Sequence, residues 1–144
     1  MSAMSDYLEN KLVDQLFRGQ TAPTTTTLYV ALLTAAPSDS GGGTEVTGGS
    51  YARVAVTSSL ANWAGTQSAG STVASSGTGG QTSNNAAITF PTPSATWGTV
   101  THFGIYDAAS GGNLLFWGAL TISKTINQSD TVTFPAASLS ITFA

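Results

Sequence analysis

At 144 residues, four of them basic and seven acidic for a net charge of −3, the chain has room for one hydrophobic core. Its charge excludes a surface that wraps nucleic acid with clustered Lys and Arg. Only 8% of the residues are charged against 41% hydrophobic, which excludes wholesale disorder and leaves Ser and Thr to dress the surface. The absence of cysteine excludes disulfide frameworks, Cys-based zinc sites and thiol catalysis.

The charge is concentrated at the start. Asp6, Glu9, Lys11, Asp14 and Arg18 all fall between positions 6 and 18. Leu8, Leu12 and Leu16 recur every fourth residue there, with Val13 and Phe17 alongside, so residues 1–20 are predicted to hold an amphipathic helix. Ser5 suits its N-cap, Asp6 and Glu9 suit the positive end of its dipole, and Gly19 suits the stop. Asp14 and Arg18 have i,i+4 spacing for an ion pair. The acids precede any apolar stretch, which is the wrong order for a secretion leader. No run approaches the ~18 apolar residues that a membrane-spanning helix needs.

After Pro23 the chain turns to β character. Leu28 to Thr34 reads as a strand apolar on both faces, which belongs in the middle of a sheet or beneath the helix. Tyr51 to Thr57 alternates, which predicts Ala52, Val54 and Val56 on one face and Tyr51, Arg53 and Thr57 on the other. Residues 58–85 form a long polar stretch of Ser, Thr, Gly, Ala and Asn interrupted by Leu60, Trp63 and Val73. Such a stretch is either an exposed loop or a set of short edge strands. Ala86 to Phe90 is a short strand stopped by Pro91. Thr99 to Tyr106 and Leu114 to Leu120 form a hairpin around a Gly-rich turn, and Thr131 to Phe134 and Leu139 to Phe143 both alternate. The whole reads as one domain over 1–144. It is mainly β, an antiparallel, jelly-roll-like sandwich of about seven to eight strands over 24–144, preceded by one helix.

Residues suited to catalysis are sparse. His102 is the single histidine, in a strand with Phe103 and Ile105, where packing explains it better than base chemistry. No nucleophile elbow accompanies it. Gly41–Gly43 and Gly77–Gly80 lack the Lys-Ser/Thr ending of a phosphate loop and read as turns. Asp39 and Glu45 flank a glycine run but supply too few carboxylates for calcium. No catalytic residue, cofactor or metal is expected. Trp97 and Trp117 sit in apolar contexts that suit packing. Trp63, alone in the polar stretch, is the candidate contact for a glycan.

Five stretches resemble a family of tailed-phage and prophage virion structural proteins commonly labelled phage tail fibre proteins. These are Ser5 to Leu12; Leu28 to Leu32; Thr44-Glu45-Val46 with Gly48 to Arg53; Trp97 to Asp107; and Gly111 to Leu120. The resemblance runs in order along nearly the whole chain. It implies a virion component and brings no catalytic residues. It leaves open a tail fibre, a capsid decoration or head fibre, and a receptor-binding module. A surface of hydroxyls rather than ions costs little to cover when its groups are hydrogen-bonded. The expected partners are therefore sister copies, with a trimer as one closed form, and other virion proteins. Leu8, Leu12, Leu16 and Phe17 are the candidate interface, packed either within or between subunits. Arg53 is expected to pair with Glu45 or Asp107.

Overall fold

A computed structural model describes residues 2–143 of the chain. It begins with a short strand, β1 (Ser2–Met4), followed by the helix α1 (Asp6–Phe17). Ser5 is the N-cap as its residue type predicts: its Oγ accepts from the Leu8 N–H. Gly19 follows the helix at φ +68°, the left-handed conformation that glycine adopts without strain.

The main sheet has six strands. The long strands β2 (Thr27–Ala35), β7 (Gly98–Tyr106) and β8 (Leu114–Ile126) form its middle. The order is β1-β8-β7-β2-β3, with β3 (Thr44–Glu45) and β4 (Val54–Thr57) sharing the far edge of β2. Every pairing is antiparallel. Strand β2 is central in the sheet, and its sequence is apolar on both faces because Val30 to Leu33 are buried on both. Its Val30 and Leu32 enter the main core with Phe103, Ile105 and Val100, while Ala31 joins Tyr106 and Leu114 in a smaller cluster on the opposite face.

Two antiparallel ribbons cover the main-core face. One pairs β5 (Gln81–Ser83) with β10 (Ser140–Thr142), the other β6 (Ile88–Thr89) with β9 (Thr133–Phe134). They deliver Ile88, Phe134, Leu139 and Ile141 to the same core. The layered antiparallel arrangement is the expected one. The strand count is ten rather than seven or eight because several strands are only two or three residues long, too short to leave an alternating pattern in the sequence. The opposing layer is two separate ribbons held together largely by Asn84. This side chain, 1% exposed, donates to the carbonyls of Ala86 (2.8 Å) and Pro135 (2.9 Å) and accepts from the Leu139 N–H (2.9 Å).

One sequence expectation needs correction. Tyr51 does not face away from Val54 and Val56: all three pack on the main core. The strand starts only at Val54: Gly48, Gly49 and Ser50 take positive φ, and Tyr51 to Arg53 lie outside the ladder with β2. A Cβ on Gly49 would lie 2.9 Å from Trp97 Nε1, which instead donates to the Gly49 carbonyl at 2.9 Å. Residues 58–85 are a largely exposed loop as far as residue 80, ended by the short strand β5. Gln67 donates to Ser71 Oγ, Thr66 Oγ1 to the Ser76 carbonyl, and Asn85 to the Leu60 and Ser71 carbonyls, so polar side chains knit the stretch to itself.

Candidate assembly surface

A polar cluster lies at the β7–β8 hairpin tip. Arg53 grips Glu45 with two parallel bonds, Nε to Oε1 at 2.9 Å and Nη2 to Oε2 at 2.8 Å. Its Nη1 donates to the Ala108 and Gly111 carbonyls at 2.8 and 2.9 Å, and the guanidinium lies 3.7 Å from the centre of the Tyr106 ring. Planar, five-donor geometry makes this possible; a lysine has one point charge to offer. Glu45 also accepts from the Tyr51 hydroxyl, which in turn accepts from the Leu32 N–H. Burial pushes the Tyr51 phenol well above its ordinary range, and Glu45 adds to this. Burial and Glu45 likewise raise Tyr106. For Arg53, burial works against the charge, but the bonds and charge of Glu45 outweigh it and the net shift is upward. Of the two partners expected for Arg53, Glu45 is the one it takes. Asp107 instead closes the hairpin tip, accepting from the Asn113 backbone N–H and side-chain amide. The cluster is closed on itself and serves as a clamp from β3 and the start of β4 to the hairpin.

The helix carries the second feature. Only its first turn is docked: the Ser5 N–H donates to the Leu115 carbonyl, Ser5 Oγ to the Leu114 carbonyl, and Asp6 N–H to the Asp39 carbonyl. Tyr7 and Leu8 touch the main core. Beyond that the helix stands off the sheet and contains no fully buried residue. Of the four candidate interface residues, Leu8 and Leu12 are half-buried, while Leu16 and Phe17 are 71% and 81% exposed, with Val13 beside them at 49%. The Asp14–Arg18 pair forms at 2.9 Å as its spacing predicts.

The third feature is a groove of about 920 Å³ between β8 and the segment running from Asp130 to Thr142. Its origin is an irregularity in the sheet. Between the pairs Val100–Lys124 and His102–Ala119, β7 advances two residues while β8 advances five. Leu120 to Ser123 therefore leave the ladder as a bulge, and Ile122 at its crest is 79% exposed. Leu120, Ile126, Val132 and Phe134 line the groove beneath. The sequence read Leu114 to Leu120 as the whole strand and gave no sign of this groove, since a bulge is defined by the partner strand's register.

The remaining candidates are dispersed. Trp63 packs against the main core, and its indole N–H is buried without a protein partner. Trp97 is a buried core residue, and Trp117 is half-buried with its Nε1 donating to Asp39 at 3.3 Å. His102 bonds its neighbour Thr101. Glu45 and Asp39 are thus engaged by different partners, and among the described residues no group of three or more His, Asp or Glu gathers as a metal site. Among the described residues no helix is long and apolar enough to cross a membrane.

A family model described as podophage GP4 fiber I protein gp80 matches residues 3–142. No curated protein matches the chain.

Proposed function

The chain belongs to the Gp80 family, described as podophage GP4 fiber I protein, and from this premise we propose that it is a tail-fibre subunit that acts by protein–protein contact and not by catalysis. As a phage fibre protein it is a structural component of the virion. The family's description as a fiber protein supports a fibre role, and the layout of the fold supports action through contact. The observation that carries it is the undocked half of α1: Val13, Leu16 and Phe17 are held in water on an ordered helix. Apolar side chains presented on one helix face are the usual anchors of a protein–protein contact.

In this reading the subunit self-associates and also contacts other virion proteins. The Arg53–Glu45 clamp keeps the hairpin rigid, so that mechanical load passes through a fixed scaffold. A head fibre or capsid decoration would use the same surfaces, and position in the particle separates the two. The glycan-binding alternative draws less support, because Trp63 lays its ring against the core and buries its N–H.

The test combines mass determination of the purified chain with imaging of intact particles carrying a labelled copy. An oligomer in solution and label on the tail appendage are expected. Label confined to the capsid shell would transfer the protein to the head, and a strict monomer absent from particles would overturn the proposal.

A further inference from the structure

We infer that the main sheet is closed to strand addition along both edges, so that a partner chain engages it through side chains and not by extending its backbone ladder. This specifies the kind of contact within the role proposed above and stands whether or not the chain self-associates. A sheet edge presents unpaired N–H and C=O groups that any extended chain of suitable register can take up. An edge resists such pairing when it is short, bulged, charged or covered.

Strand β8, at 13 residues, is the long strand at one edge, and among the described residues its outer side is paired only from Phe116 to Gly118. There β1 covers it. The outer side of β1 is met in turn by β10: Ser2 Oγ accepts from the Thr142 N–H at 2.7 Å and donates to its carbonyl at 3.3 Å. Beyond β1, Ala119 and Thr121 to Thr125 are exposed. In this stretch β8 advances five residues while β7 advances two. Its N–H and C=O groups therefore lose the even repeat that a straight incoming strand requires. Lys124 follows the bulge, exposed and with no acidic partner within salt-bridge distance among the described residues. A strand laid alongside would strip water from its ammonium.

The opposite edge is closed differently. It is divided between β3 and β4, of two and four residues, each shorter than the usual strand of about five to six. The pairing of β3 is itself irregular, with a register shift between Leu33 and Ala35. On β4, the Ser58 N–H turns inward to the Thr26 carbonyl, so by antiparallel alternation the polar groups of Thr57 face outward. The Thr57 carbonyl is already occupied, accepting from Asn62 Nδ2 at 3.0 Å. Length and a side-chain cap thus do here what the bulge and Lys124 do on β8.

Hydrogen exchange on the full-length chain, dilute and concentrated, tests this. Amides from Ala119 to Thr125 are expected to exchange within about twofold of the same rate at both concentrations, because no strand is added there. Slowing by roughly tenfold or more on assembly means that the edge has been taken up, and overturns the inference. A chain that stays monomeric with these amides still fast sinks self-association and leaves the closed edge standing. A second protein lacks Thr121, Ile122 and Ser123, the surplus of β8 over β7, and carries Lys124→Thr. It is expected to form sedimenting, thioflavin-binding assemblies larger than any the wild type forms, and restoring Lys124 is expected to reduce them. If it unfolds cooperatively yet keeps the wild-type size, the bulge and the lysine do not close β8 and the inference falls. Should it fail to fold, the exchange rates of the wild type decide.

Discussion

Replacing Arg53 by Met keeps the aliphatic bulk of the side chain and removes every polar contact it makes. The side chain is 6% exposed and its partner Glu45 25%. The substitution strands a partly buried carboxylate and takes a donor from the Ala108 and Gly111 carbonyls. Breaking a buried pair from one side costs ~3–5 kcal/mol. Glu45 retains some water and the Tyr51 hydroxyl, which places the expected loss near the lower end, about 3 kcal/mol. For a chain of this length that corresponds to a fall in Tm of roughly 10 °C. Arg53→Lys keeps the charge but not the fork, so it is expected to lose about half as much. Urea denaturation at fixed protein concentration measures both. A double-mutant cycle with Glu45→Gln isolates the pair, and the combined variant is expected to lose clearly less than the two single losses added together. An Arg53→Met protein within ~0.5 kcal/mol of wild type, or strict additivity in the cycle, would refute the clamp.

Asn84→Leu preserves side-chain bulk but leaves the Leu139 N–H and the Ala86 and Pro135 carbonyls without their partner. A loss of about 3–5 kcal/mol in chemical denaturation is expected, and a cost under ~1 kcal/mol would show that the two ribbons do not depend on it. The Tyr51 phenol is raised in the folded chain by burial. Its contribution to stability is therefore complete below the unfolded tyrosine pKa of ~10 and declines as pH climbs beyond it. Denaturation between neutral and strongly alkaline pH should show that decline, diminished in Tyr51→Phe. A tyrosinate difference spectrum between the two proteins that titrates like free tyrosine would contradict it.

Local chemistry made much of the molecule readable. The helix and its ends follow from Ser5, the Leu8-Leu12-Leu16 repeat and Gly19, because capping and periodicity act within a few residues. The central position of β2 follows from its unbroken apolar run, and the hairpin from Asp107 to Asn113 with its glycines. Choice between the two carboxylates for Arg53 was beyond the sequence, since Glu45 and Asp107 are equally eligible until β3 is laid on β2. The direction of Tyr51, the fastening role of Asn84 and the β8 bulge were equally hidden. Each depends on which residue stands opposite from a strand distant in the chain, and side-chain orientation reverses with a single step of register. The sequence by itself determined a charge-poor, antiparallel β domain with one amphipathic helix. Only the tertiary structure decided that half of this helix stands free while an apolar groove opens at the far end of the sheet, because burial is a property of what packs alongside, not of the residue alone.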